Sequence, residues 1–395
     1  MPDNVHCDSI GLNTPLKEQG SLPFDSQSLL EAAQRVCETT LGPNASESDR
    51  MSAPNPTNFK ALAEAGLLGL TLPREWGGLD APGKAQRDYT ELIASYCGVT
   101  TFIQAQHHGP SRMALASPNQ ALKRRLLPDL ASGKLMSGIS FAHLRRPGPP
   151  VLSATPVQGG WVLNGVAPWV TGWGMIGQVV FGATLPDGRF IYLWSPVRRS
   201  DFPELFADIS LPDSGGGELA ASSPLSLCAM NASATVEADC RNWFIPQEHW
   251  LSESDRETMQ RNDRNGVLGA TSMPLGCAAA AVRLLCETAE RRSLPAIRRA
   301  STSFANEWEE VKGLTEAQYS QSGEPDFFAS AIKLRAWCIE LAERASLAAV
   351  AACSGSANSL LHPAQRLLRE AMFYSIQAQT SDVMDATLAR FERRI

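Results

Sequence analysis

The side chains whose type and spacing could do chemistry are few: a handful of histidines and one aromatic–hydroxyl pair. Of the six histidines, only His107 and His108 are adjacent, within QAQHHGPSRM. Neighbours on a helix point about 100° apart, so this pair is not placed to share one metal ion. Each neutral imidazole can serve as a general base near pH 7; the competing reading is a solvated or helix-end histidine. His143, in FAHLRRPGPP, carries the same two readings. Trp169 and Thr171, in WVTG, lie two apart. On a strand that spacing puts an indole and a hydroxyl on one face, either as a wall and a hydrogen-bonding group for a flat ligand or as a core tryptophan and an ordinary strand-end hydroxyl. The nine cysteines are odd in number, scattered and never spaced C-x-x-C, which argues against a disulfide framework or zinc knuckle and for buried thiols in a reducing, cytoplasmic setting. No G-x-G-x-x-G, P-loop, G-x-S-x-G or H-E-x-x-H motif occurs.

The elements that must hold these residues follow from patterning. The chain has 395 residues, 44% hydrophobic and 19% charged, with a net charge of -6. This is the balance of a globular protein and the wrong sign for a nucleic-acid binder. Residues 1–24 read as a flexible tail. Residues 25–135 read as helical, opening on a capping box from Ser28 to Glu31 and closing where Gly133 follows NQALKRRLLPDLAS. Residues 136–248 show short β-branched runs such as LMSGISF, QVVFGATL and RFIYLWSPV, predicting an antiparallel barrel or sandwich. DSGGGELAASS, 213–223, reads as a flexible loop within it. Residues 249–395 return to helix, and Ala331, Leu334, Cys338, Leu341 and Ala345 mark one apolar face. GVLGATSMPLGCAAAAV, 266–282, is apolar, but it is short for a span and contains Pro274, so a buried helix is expected and no membrane. The fold class is mainly α with a central β domain, flanked by an N-terminal helical domain and a C-terminal four-helix bundle.

Four stretches in order resemble the acyl-CoA dehydrogenase superfamily, the flavoprotein fold that also hosts flavin-dependent monooxygenases. They are LAEAGLLGLTLPREWGGLDAP (62–82), GGWVLNGVAPWVTGWG (159–174), NASATVEADCRNWFIP (231–246) and HPAQRLLREA (362–371). The resemblance implies FAD, with Trp169 as a wall of the flavin ring and the Thr171 hydroxyl beside its redox-active nitrogen. It sets Phe141 and Ala142 at the pyrimidine edge. It gives Arg291 or Arg292 to the pyrophosphate across a subunit interface, and it sets Gly355 and Thr380 near the cofactor. It also implies a homodimer or homotetramer.

The sequence departs from the family where the chemistry is done. AHLRRPGPP stands in place of Thr-Glu-Pro-x-x-Gly-Ser-Asp, so Arg145 and Arg146 either compensate by pairing with phosphates or form a solvated pair. SGSAN, 354–358, replaces a Gly-Gly-x-Gly turn. The family's catalytic glutamate aligns with Ala378, and the alternative position, in RNGVL (264–268), holds no carboxylate. Asp263 lies just upstream. A base, where one is used, could come from His107, His108 or His143, each of which also reads as a solvated or helix-end histidine. Glu370 reads as a structural ion-pair partner.

Three functions stay open: an FAD-dependent oxidoreductase taking hydride from an acyl-CoA, a carrier-bound acyl group or a similar small substrate; a flavin-dependent monooxygenase using O2; and a non-catalytic binding or assembly protein that kept the fold.

Overall fold

The structure is a computed structural model that describes residues 25–197, 201 and 217–392. The expected tail at 1–24 and the part of the expected loop at 213–216 lie outside the described residues.

Six helices come first: α1 (Ser26–Val36), α2 (Gly42–Arg50), α3 (Pro56–Glu64), α4 (Gly83–Ala94), α5 (Gly98–Ala116) and α6 (Gln120–Ser132). Helix α1 begins earlier than the expected Ser28–Glu31 box. Asp25 is the cap, its carboxylate accepting from the Ser28 N–H at 3.1 Å, and Glu31 bonds Gln27 instead. An aspartate one turn upstream satisfies the same orphan N–H groups, and its negative charge suits the positive end of the helix. Helix α6 ends at Gly133, as its sequence indicates.

Eight strands follow among the described residues: β1 (Ser137–Ser140), β2 (Leu152–Val157), β3 (Gly160–Val170), β4 (Gln178–Thr184), β5 (Phe190–Pro196), β6 (Glu218–Ala221), β7 (Val236–Pro246) and β8 (Trp250–Ser254). They form one sheet in the order β6-β7-β3-β2-β4-β5-β8, with β1 also paired to β4. The sheet is mixed rather than wholly antiparallel, because β1 and one residue pair of β2 run parallel to β4. The β2–β3 hairpin between β1 and β4 supplies the long crossover that parallel pairing requires. Among the described residues the ladder is open, with β6 and β8 at its ends. Glu218–Ala221 is strand rather than loop, paired to β7, and β8 carries strand beyond residue 248.

The second helical set is α7 (Arg256–Asn265), α8 (Ser272–Arg292), α9 (Pro295–Tyr319), α10 (Phe327–Cys353), α11 (Pro363–Tyr374) and α12 (Ser381–Glu392). Helix α8 is the apolar segment with Pro274 in its first turn. Its run Gly276–Ala281 has no side chain larger than a thiol, so α4, α9, α10 and α11 all pack closely on it. The stretch 267–292 is long and apolar enough to cross a bilayer, yet 83% of its apolar window is buried inside the protein.

Candidate functional site

The loop after β1 delivers the first group of residues. Phe141 is half-buried, and its ring meets Tyr192 of β5 edge-on at 5.6 Å; Ala142 is exposed at the start of a 3-10 turn, Ala142–Arg145. This turn lies against β3, whose far end carries Trp169. Trp169 is 41% exposed, whereas Thr171 is 4% exposed, so the two do not present one shared open face. Regular alternation fails there because the β3–β7 register slips between Ala167 and Val170, and β3 ends at Val170. Thr171 thus opens a turn, and its hydroxyl engages Thr235 at 2.9 Å, which in turn engages Ser233 at 2.8 Å.

The three histidines are not placed as bases. His107 is fully buried in α5; its Nε2 faces the Leu130 carbonyl at 3.2 Å and its Nδ1 accepts from the Ser137 N–H at 3.4 Å. Both nitrogens are spoken for by backbone, and burial pushes its pKa down to about 4. His108 is buried beside it with Nε2 unpartnered; burial first, then the neighbouring His107 and Arg112, push it well below the ordinary range. The His143 Nε2–H donates to the Gly182 carbonyl at 2.9 Å, while Nδ1 is sealed without a partner, and burial lowers its pKa as well. Apolar packing makes these imidazoles neutral but gives them no opening to a substrate proton.

Arg145 is neither a solvated loop residue nor free for phosphate. It grips Asp263 of α7 with two bonds of 2.7 Å and lies over the Phe141 ring at 5.5 Å. Asp263, the carboxylate nearest the alternative base position in sequence, is therefore held by a bidentate arginine. The turn after α11 completes this region. Ala378 has φ +48°, and its carbonyl, with that of Gln377, accepts from Arg335 Nη2 at 3.0 and 2.9 Å. Arg335 Nη1 reaches the Val267 carbonyl at 3.2 Å. Thr380 caps α12, its hydroxyl accepting from the Val383 N–H at 3.3 Å.

Sequence reasoning passed over Arg335, although a signal was available. It lies four residues after Ala331 and three before Cys338, so an arginine interrupts the apolar face of α10. A cation at such a position is buried by the same packing that buries its neighbours.

Arg291, Arg292 and Gly355 assemble elsewhere. Arg291 is exposed at the end of α8 and donates to Thr288 Oγ1 at 3.2 Å; Arg292 Nη1 donates to the Ala352 carbonyl at 3.0 Å, next to the turn Ser354–Asn358 that holds Gly355. At the other end of α8, Met273 Sδ accepts from Gln377 Nε2 at 3.4 Å. Eighteen residues of helix separate Met273 from Arg291, about 27 Å at 1.5 Å per residue. The arginine end and the Ala378 end are thus two places on one protomer.

With this geometry in hand, the chain can be set beside known proteins. Residues 24–134 match the family model described as acyl-CoA dehydrogenase, N-terminal domain. The chain is 23% identical to the mitochondrial isovaleryl-CoA dehydrogenase of Solanum tuberosum over 393 residues, covering 94% of this chain and 91% of that one. It is 25% identical to the mitochondrial short-chain specific acyl-CoA dehydrogenase of Mus musculus, covering 93% and 90%. Among solved structures, butyryl-CoA dehydrogenase from Megasphaera elsdenii superposes with a TM-score of 0.77 at 17% identity, covering 95% of this chain and all of that one.

Proposed function

The chain belongs to the acyl-CoA dehydrogenase superfamily, and from that premise we propose that it is an FAD-dependent oxidoreductase acting on an acyl thioester or a similar small organic substrate. The observation that carries this reading is the large exposure of Trp169 at the end of β3. An indole 41% exposed at the end of that strand offers a flat ligand an aromatic wall to lie against. The residues fit a flavin in part. Trp169 offers the wall, the Thr171–Thr235–Ser233 hydroxyl chain has one hydrogen per oxygen to share, and the Ala142 backbone is open at the neighbouring turn. Arg291 and Arg292, about 27 Å along α8, fit a phosphate better as the contribution of a second copy than of the same one. This supports a homodimer or homotetramer.

FAD, when bound, supplies a two-electron acceptor. This chain's own part is to wall the ring with Trp169, to order the hydroxyl chain beside it, and to hold the turn at Ala378. No carboxylate stands at that turn, and Asp263 is tied to Arg145, so removal of an acidic α-proton has no ready acceptor among the described residues. That observation favours a second reading, a flavin-dependent monooxygenase, whose reaction with O2 requires no α-proton base. The unpaired state of all eight described cysteines supports a reducing, cytoplasmic setting.

The test is spectroscopic. The purified protein, loaded with FAD, is expected to show oxidised-flavin absorption, and Trp169→Ala is expected to lose the cofactor while keeping its fold by circular dichroism. Anaerobic bleaching by acyl-CoA supports dehydrogenation, and O2 uptake without such bleaching supports the monooxygenase. A chain that takes up no FAD overturns both and leaves a binding or assembly role.

A further inference from the structure

Two arginines are buried below one-tenth exposure among the described residues, and they are neutralised very differently. Arg366, 6% exposed, has the Glu370 carboxylate at 2.8 Å. Arg335, 4% exposed, has only the three backbone carbonyls of Val267, Gln377 and Ala378; no carboxylate among the described residues lies within ion-pair reach, and its Nε–H is buried with no partner. Carbonyl dipoles solvate a guanidinium but do not cancel its charge.

The charges around Arg335 do not cancel it either. Asp263 and Arg145 both act on its ionisation, with opposite signs, and they hold each other. Asp263 is held by both bonds of Arg145, so the charge of Arg335 is left without a partner of its own where the medium is poorly polarisable. Burial first, and then the neighbouring Arg145, draw the Arg335 pKa down to about 10, the mark of a cation short of compensation. The segments whose carbonyls hold Arg335 reach the surface close by: Gly269, two residues from Val267, is exposed with nothing within 4 Å of where a side chain would project, and Ala378 and Gln379 are exposed as well.

We infer that Arg335 is the recognition residue for a carboxylate carried by the substrate, so that this site selects acids or acyl thioesters bearing a second, anionic end. The inference deepens the acyl-substrate reading above and, for thioesters, rests on it. A carboxylate at the Nε–H supplies the missing acceptor and the missing charge in one step. Asp263 is the internal competitor, and its pairing with Arg145 keeps it from filling that role.

The experiment uses the full-length, FAD-loaded protein and reads binding by calorimetry, not turnover. Two matched pairs are compared: succinyl-CoA with butyryl-CoA, and free glutarate with glutaramide. The carboxylate-bearing member of a pair is expected to bind about tenfold or more tightly. Arg335→Gln is expected to abolish that preference, and Asp263→Asn to strengthen it. Circular dichroism and urea unfolding establish that each variant is folded; should Arg335→Gln not fold, the Asp263→Asn result decides. Equal affinity within the pairs overturns the inference, as does a preference that survives Arg335→Gln or is unmoved by Asp263→Asn. If neither thioester binds but glutarate does, the thioester reading fails while the carboxylate site stands. If none of the four binds, the site fails too.

Discussion

Replacing Glu370 by Gln is expected to cost about 3–5 kcal/mol of stability, because it leaves the Arg366 guanidinium buried without a counter-charge. Glu370 and Arg366 are 3% and 6% exposed on the same face of α11, with Oε1 to Nη1 at 2.8 Å. The carboxylate also faces the Gly98 N–H, the first of α5, which favours its charged form, and the cap residue of that helix, Cys97, supplies no side-chain bond. Gly98 has no room for anything else, since a Cβ there would lie 2.7 Å from Glu370 Cδ. The amide of glutamine keeps the acceptor for the Arg366 bond, so the loss is the charge, together with an amide NH2 placed where Oε2 already has no partner. A domain's total stability is about 5–15 kcal/mol, so the change should be plain in urea unfolding as a lower midpoint at unchanged slope. The double replacement Arg366→Met with Glu370→Met removes both charges and is expected to recover most of the loss, as buried pairs exchanged for apolar side chains of similar size commonly do. A cost below about 1 kcal/mol for Glu370→Gln, or a double variant no better than the single, would refute the claim that charge compensation is what Glu370 contributes.

The other expectations follow from the same geometry. His107 has its pKa pushed down to about 4 by burial, against about 6.5 when unfolded, so its neutral form stabilises the fold fully above pH 6.5, and that stability is lost as pH falls towards 4. The full swing is about 3 kcal/mol, read as the slope of unfolding free energy between pH 4 and 7, and His107→Gln should flatten it. Ser354 ends α10 at φ +59° and ψ -146°, a conformation only glycine adopts freely, so Ser354→Gly should raise stability by about 1 kcal/mol, and a lower melting temperature would contradict the strain. Ala378→Glu puts a carboxylate where the resemblance to the acyl-CoA dehydrogenases implies the family's glutamate. If the chain binds acyl-CoA as proposed, exchange of substrate α-protons with deuterated water should rise by about a hundredfold, and no rise would remove that position from the chemistry.

The helices and strands were legible because their periodicities are carried by many residues at once. The apolar stripe of α10, the small-residue run of α8 and the β-branched runs of β4 and β5 each repeat a signal that one substitution does not erase. The direction of β1 was not legible, since Ser137–Ser140 says nothing about which strand it will pair with after the β2–β3 hairpin has formed. Nor was the local break at Val170, which turned the inference from spacing at Trp169 and Thr171 into one open residue and one closed one.

The candidate site was harder to read for a physical reason. What a histidine or arginine does depends on what surrounds it, and its surroundings come from distant parts of the chain. His107 was read as a base or as a solvated or helix-end histidine, yet Leu130 and Ser137 close on both its nitrogens. Arg145 was open between a phosphate ligand and a solvated loop residue, and Asp263, 118 residues away, takes its guanidinium instead. Arg335 broke an apolar pattern, and that kind of local inconsistency is where function is most often kept, because burying a charge costs free energy that packing alone does not return. Glu370 marks the contrast. It also sits on a buried face, but its partner Arg366 lies one helical turn away, and that ion pair agrees with the structural role the resemblance implied.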